Sequence, residues 1–431
     1  MENAPPAPRD IPGLTEHLFR QESGKLVSIL TGIFGIDRLQ LAEDVVQEAL
    51  IRAMQTWPYY GIPQNPPAWL LQTAKHLALD IVRREKLFHE KQPDIISTME
   101  QWPTESDTGE QAMFEDEIKD GRLRLMFACC HPLIPLEAQT ALALKTLCGL
   151  SPAEIARAYL TSEAAIAKRL TRARQKIRDE GIPFEIPSGT ELSERLEGVL
   201  KILYLLFNEG HKASSGDNLV RADLCDEAIR LARLLTEHPA AGQPSVHALT
   251  SLMYFNAARL DSRVDAEGNI IRLREQNRST WDRDKILRGI NHLGLAATGS
   301  DFSEYHLQAG IAACHCLAPD YESTNWKAIL NHYDRWMLLS DSPVVALNRA
   351  VAVAQVHGPA AGIAAVEAIP DRNRLDSYYL FHAVLGEFQA QNENFAVAAA
   401  HFRKALSLTE MQTERAFLSK RLQACEPTKG R

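Results

Sequence analysis

The stretch LSPAEIARAYLTSEAAIAKRLTRARQKIR, residues 150–178, constrains this chain more than any other. It predicts two helices joined by a tight turn. Ser151 is placed to cap the first helix, Pro152 suits its first position, and Glu154 completes an S-x-x-E capping box. Ile155, Ala156 and Tyr159 form its apolar face. Thr161 or Ser162 then caps a second helix, with Ile166 and Leu170 on the inner side. The outer side carries Lys168, Arg169, Arg172, Arg174, Lys176 and Arg178, against only Glu163 and Asp179. A start of small residues (Ala164, Ala165) followed by a basic rod suits a helix that enters the major groove, base edges first and phosphates after. The alternative is a solvated charged helix, which lacks this agreement of cap, core and charge.

The rest of the chain must accommodate that element. Strand patterns are nearly absent, and apolar residues recur at helical spacing, so the expected fold class is all-α. Net charge is −8, so any contact with nucleic acid must come from local basic faces. The N-terminus lacks a basic start followed by an apolar core, and the run VVALNRAVAVAQV is broken by Asn348 and Arg349. The expectation is a cytoplasmic protein with no membrane association. Seven cysteines are scattered; Cys129-Cys130-His131 and Cys314-His315-Cys316 lack the spacing of a zinc site and read as buried thiols. No Walker loop, GxGxxG, HExxH or GxSxG is present, so neither catalytic residues, nor a metal site, nor a cofactor is expected.

Residues 14–86 form a first helical block. Leu41, Val45, Ala49, Ala53 and Trp57 repeat along one helix face, and Asp44, Gln47 and Glu48 lie on another, exposed one. Pro58, Gly61, Pro63, Pro66 and Pro67 predict a stiff loop holding Tyr59 and Tyr60. Pro67 is expected to open the next helix, buried through Leu70, Ala74, Leu77 and Ile81. Its outer side offers Gln72, Lys75, His76, Arg83, Arg84 and Lys86. Aromatics beside a basic helix suit single-stranded DNA, where bases stack and phosphates pair; Trp57 and Trp69, each taken singly, suit core packing better. Residues 87–117 read as a polar, acidic linker. Residues 118–180 form the second block, with two helices before the helix-turn-helix and a closing segment GIPFEIP.

These two blocks, in this order, resemble regions 2 and 4 of sigma-70-family RNA polymerase sigma factors of the extracytoplasmic-function type. AEDVVQEALIRAM is similar to the core-polymerase-binding segment, PAWLLQTAKHLALDIVRRE to the segment that melts and reads the −10 element, and residues 150–178 to the −35-reading helix-turn-helix. The chain departs at Leu160, where many members have Gly, and at Ala165 and Ala167, where many have a hydroxyl and a basic residue. The resemblance implies that Asp44, Gln47 and Glu48 dock on core RNA polymerase. It implies that Tyr59, Tyr60, Trp69, Gln72, Lys75, His76, Arg83 and Arg84 open and hold the −10 strand. Glu163, Ala165, Lys168, Arg169, Arg172 and Arg174 would read the −35 duplex of promoter DNA. Chemistry stays with the polymerase, so the factor is no enzyme.

Residues 190–330 read as a helical middle domain. Asp265, Glu267 and Asn269 faintly echo a calcium loop that lacks its closing Glu, and a turn with a short hairpin is the expectation. Asn277, Arg278, Trp281 and Asp282 form a polar-aromatic cluster, either an interdomain contact or a ligand site. Residues 340–424 carry a tetratricopeptide-like signature: Leu385, Gly386, Phe395, Ala398, Phe402 and Ala405, with Val351, Ala352, Ala364 and Ala368 one period of about 34 residues earlier and His382 at the usual Trp position. Such pairs imply a surface for a regulatory protein, and a sigma-like front with this tail resembles the extracytoplasmic-function group carrying a large C-terminal extension. Two other readings stay open at this level: a ligand- or protein-sensing helix-turn-helix repressor acting without polymerase, and a helical scaffold.

Overall fold

The computed structural model describes residues 11–84, 120–159, 161–182, 190–213, 220–265, 269–299 and 301–426. The linker 87–117, Leu160, Glu267 and most of the GIPFEIP segment lie outside the described residues. Among the described residues every regular element is a helix, apart from one isolated antiparallel bridge between Val264 and Ile270. The chain divides into two compact units, residues 1–206 with 238–241, and residues 207–237 with 242–431.

The first unit begins with α1 (Ile11–Phe34), α2 (Leu39–Tyr60) and α3 (Pro66–Arg84). It continues with α4 (Gly121–Cys129), α5 (Leu136–Thr146), α6 (Pro152–Ala158), α7 (Glu163–Asp179) and the first part of α8 (Thr190–His211). Leu39, Ala42, Val45, Val46, Ala49, Leu50, Ala53 and Trp57 bury the inner side of α2; Leu41, expected on that stripe, sits at its half-buried margin. Pro58 does not end this helix, which runs on through Tyr60 and stops at Gly61, whose φ of +84° reverses the chain. The expected stiff loop therefore begins two tyrosines later. Pro58 lacks the N–H that would bond back one turn, and the helix closes beyond it with Gly61 N donating to the Trp57 carbonyl at 3.0 Å. Pro66, not Pro67, is the first residue of α3, and the Asn65 side chain accepts from Ala68 N at 3.2 Å as its cap.

α8 carries the chain from region-4-like sequence into the extension, and its first half is part of the first unit. Arg195 donates to the Phe127 carbonyl at 3.4 Å. A Cβ on Gly198 would fall 2.7 Å from Cys130 Sγ, so only glycine admits α8 this close. The division between units falls inside α8 rather than between residues 180 and 190.

The second unit contains α9 (Ala222–Glu237), α10 (Pro244–Ala257), α11 (Arg283–Ala296), α12 (Glu304–Leu317), α13 (Trp326–Trp336), α14 (Pro343–His357), α15 (Pro359–Glu367), α16 (Tyr379–Gln391), α17 (Phe395–Leu408) and α18 (Gln412–Cys425). Residues 207–431 are one unit here, with no break at 330–340. A buried carboxylate is one reason. Glu414 accepts from the Tyr379 and Thr409 hydroxyls and pairs with Lys212 at 3.1 Å, fastening the residue after α8 to α16 and α18. The Arg278 cluster is internal to this unit. Arg278, 5% exposed, donates to the carbonyls of His315 and Ala318 and to Thr324 Oγ1, filling acceptors left open at the end of α12. Trp281 is buried beside it, and Asp282 caps α11 through Lys285 N at 3.0 Å. Asp265 accepts from both Asn269 N and Asn269 Nδ2 in the turn after the bridge.

α14 to α17 form successive helix pairs. Leu385, Gly386, Ala398, Phe402 and Ala405 are buried as expected, but Phe395 is exposed. In the preceding pair Gly362 and Val366 point inward, while Ala364 and Ala368 face solvent. The cause is connection length. Gly358 alone joins α14 to α15, whereas Asn392, Glu393 and Asn394 join α16 to α17, so the register after the turn slips by two residues. His382 is buried, and its Nε2–H donates to the Asp376 carbonyl at 3.1 Å.

An added Cβ at Gly386 would lie 2.8 Å from the Phe402 ring. Gly386→Val should therefore destabilise the second unit by about 1–3 kcal/mol through overpacking, read as a lower urea midpoint at unchanged slope.

Candidate nucleic-acid interface

Local hydrogen bonding builds the helix-turn-helix. Ser151 Oγ accepts from Glu154 N at 3.1 Å, and Glu154 Oε2 accepts from Ser151 N at 2.6 Å, so the capping box is complete. Thr161 N returns to the Ala156 carbonyl at 2.9 Å. Ser162, rather than Thr161, caps α7 by accepting from Ala165 N at 3.2 Å. Ile166, Leu170, Ala173 and Ile177 bury one stripe of α7 against the rest of the unit.

The outer side of α7 is less uniform than its sequence suggests. Glu163, Lys168 and Arg172 are exposed and Ala165 is half-buried. Arg169 pairs with Glu137 of α5 at 2.7 Å and lies 5.5 Å from the centre of the Tyr159 ring. The Tyr159 hydroxyl is itself hydrogen-bonded to Thr140 Oγ1. Burial, reinforced by the Glu137 carboxylate, pushes the Tyr159 phenol above its ordinary pKa range. Lys176 pairs with Glu180 at 2.9 Å, and Arg178 donates to Gln175 at 2.8 Å.

Arg174 departs furthest from expectation. It does not face outward with the phosphate-directed charges. Its Nη2 donates to Glu43 Oε2 of α2 at 2.7 Å, and the two side chains are only 17% and 14% exposed. Thr146 Oγ1 donates to the other oxygen, Glu43 Oε1, at 2.7 Å. The helix-turn-helix block thus packs directly on the first block. Ser28 Oγ of α1 donates to the Gly121 carbonyl of α4 at 2.6 Å, and a Cβ on Gly24 would collide with the Leu147 backbone. Cys129 is buried beneath this contact, and burial, then Glu43, raises its thiol to about 12. All seven cysteines are free; six are buried, and Cys314 is half-buried.

The residues of the first block divide into two exposed faces. Tyr59 and Tyr60 stand 85% and 86% exposed at the end of α2. Trp69 of α3 is half-buried and meets buried Trp57 edge-on at 5.5 Å. Gln72 and Lys75 are half-buried and His76 is exposed on α3; Arg83 and Arg84 fall in its last turn, and their side chains lie outside the described residues. On the other face Asp44, Gln47 and Glu48 are exposed along α2. Asp44 accepts from Gln40 at 2.8 Å, and Glu48 pairs with Arg52 at 3.3 Å. No local pattern marks Glu43, Glu137 or Thr146, whose partners lie far off in the chain.

Comparison with known proteins agrees with this geometry. Residues 18–88 match the model of sigma-70 region 2, and residues 124–177 match that of sigma-70 region 4. Residues 195–297 match a family of unknown function, DUF6596. The chain is 39% identical over 394 residues to an uncharacterised protein of Rhizobium meliloti, covering 90% of this chain and 91% of that protein. It is 31% identical over 141 residues to the probable RNA polymerase sigma factor RfaY of Xanthomonas campestris, 32% of this chain and 34% of the relative. It is 25% identical over 138 residues to the ECF RNA polymerase sigma factor SigX of Bacillus subtilis, 32% of this chain and 68% of the relative. No solved structure matches. One chain thus carries both a sigma-70 region 2 and a sigma-70 region 4, the second ending in a capped helix-turn-helix. These domains support a sigma-70-family sigma factor. Among the described residues no helix is long and apolar enough to cross a membrane.

Because Ser151 fixes the start of α6, Ser151→Ala should cost about 1 kcal/mol of stability. The loss is expected as a lower melting temperature of the first unit, with hydrogen exchange accelerating first at the amides of residues 153–155.

Proposed function

We propose that this chain is an extracytoplasmic-function-type initiation factor that carries core RNA polymerase to specific promoters, and that its helical extension regulates it. In this reading Asp44, Gln47 and Glu48 dock on the polymerase core. Tyr59 and Tyr60, with Trp69, Gln72, Lys75, His76, Arg83 and Arg84, take up the −10 strand once it is unpaired, since stacking requires bases freed from the duplex. Lys168 and Arg172, with Glu163 and Ala165 ahead of them, meet the −35 duplex. The observation that carries the reading is the capped helix-turn-helix standing in one chain with a second module whose two tyrosines are almost fully exposed. The helix pairs α14–α17 offer a docking surface for a regulatory protein.

Run-off transcription with purified core polymerase tests this. The full chain should initiate at a specific promoter. Lys168→Ala and Arg172→Ala should each weaken −35-dependent initiation, by about 1–3 kcal/mol for a residue that reads a base. A residue that touches phosphate alone should instead lower the salt slope by roughly one unit without changing promoter preference. Tight binding of duplex DNA by the chain alone, as a dimer, would favour the repressor reading.

The extension is tested by ending the chain after Leu206. That cut keeps the part of α8 that covers the second block, which a cut near Pro187 would strip away. Raised promoter output means that the extension inhibits, and lost output means that it assists.

A further inference from the structure

Buried arginines elsewhere in this chain bring their own acceptors. Arg195 and Arg221 pair with Glu191 and Glu209, and Arg278 is taken up by two carbonyls and Thr324 Oγ1. Arg259 and Arg263, just after α10, differ: among the described residues neither has a carboxylate beside it. Arg263 donates Nη1 to the His211 carbonyl at the end of α8. Arg259 donates Nη2 to Asn256 Oδ1 of α10 at 3.2 Å, and its Nε is buried without an acceptor. His211 Nε2 is buried without a partner as well. All three residues are half-buried, so the cluster is not sealed from water. We propose that His211, Arg259 and Arg263 form an oxyanion site, where the C-terminal ends of α8 and α10 meet, that takes the phosphoryl group of a small ligand.

Charge supports it. The two guanidinium groups are each a full positive charge, and a helix C-terminus offsets roughly half a charge. Lys212, next to His211, is spent on Glu414 at 3.1 Å. About one positive charge is left over in partly desolvated surroundings, where like charges repel strongly. The neighbouring groups record that field. Burial first, then Arg263, Arg259 and Lys212, hold His211 well below its ordinary range, and burial with Arg259 lowers Arg263 to about 10. His211 is therefore neutral at pH 7 and offers an N–H. Donor number favours a phosphoryl group over a carboxylate. Each guanidinium has about five N–H groups and has spent one here. With the imidazole they exceed the roughly four lone-pair sites of a carboxylate, whereas three phosphoryl oxygens accept more, and the planar fork of arginine fits them. Such a ligand joins the end of α8 to the end of α10 and gives the extension a small-molecule input; that last step rests on the regulatory reading above.

Calorimetry on the full chain tests the site, with inorganic phosphate, phenyl phosphate and, at equal ionic strength, chloride. Wild type should bind one phosphate per chain and melt about 3 °C higher when saturated. Arg259→Met keeps most of the stem and removes the charge; it should weaken binding roughly tenfold or more, the loss of a charged hydrogen bond. In chloride its melting temperature should hold or rise, since an unmatched charge has gone. His211→Phe keeps the stacking on Phe207, 6.0 Å between ring centres, and should weaken binding severalfold; it carries the test should Arg259→Met fail to fold. Arg230→Met, which breaks only a pair with Glu227 on α9, should bind as wild type does. No binding by wild type overturns the site. A phosphate shift equal in wild type and both site variants is a salting effect and overturns it too. Tighter binding of phenyl phosphate than of inorganic phosphate assigns the site to a phosphorylated metabolite, and the reverse to free phosphate. Should wild type bind phosphate as stated while Arg259→Met gives equal promoter output, the site stands and its regulatory use falls. Absent binding in a chain that initiates normally sinks the site and leaves the sigma reading intact.

Discussion

Close helix contact, admitted only by glycine, is the constraint that both units share. In the first unit α8 reaches the Cys130 thiol at Gly198, and α1 reaches the backbone around Leu147 at Gly24. In the second, α11 lies against the Phe255 ring at Gly289, and α16 against Phe402 at Gly386. At each site a single methyl would have to displace ring, thiol or backbone atoms. Protein interiors are packed to crystal density and do not yield such space freely. The consequence is functional as well as structural. Helices so near one another carry polar side chains across, so that Thr146 and Arg174 meet Glu43, and Lys212 and Tyr379 meet Glu414.

What the sequence disclosed was whatever is settled within a turn or two of chain. The Ser151–Glu154 capping box, the inner stripe Ile166–Leu170 and the buried face of α3 all follow from neighbours three or four residues away. The region 2 and region 4 motifs were readable for the same reason. Errors arose where a distant group or a count of loop residues decides. Pro58 reads as a helix breaker, yet α2 runs two residues past it and ends at Gly61. The first helix pair was placed two residues out of register, because a one-residue turn and a three-residue turn look alike when only the period is counted. Arg174 read as one more cation on a basic rod. Its partner is 131 residues earlier, and no periodicity links Glu43 to it.

The pairing of α7's cations bears on how such a helix meets DNA. Of six basic residues on its outer side, Arg169 is held by Glu137, Arg174 by Glu43 and Lys176 by Glu180, while Arg178 donates to Gln175. Lys168 and Arg172 are exposed, and neither forms an ion pair among the described residues. Non-specific affinity for duplex comes from counterions released as cations meet phosphates, about 0.9 units of salt slope for each. Two uncommitted cations give a slope near two, far short of the six to ten contacts of roughly the strength that lets a protein hold DNA alone. A repressor must bind unaided and would gain from every charge this helix has given to its own chain. A sigma factor needs no such reserve, because the polymerase supplies most of the grip and brings the helix to its site. The net charge of −8 points the same way.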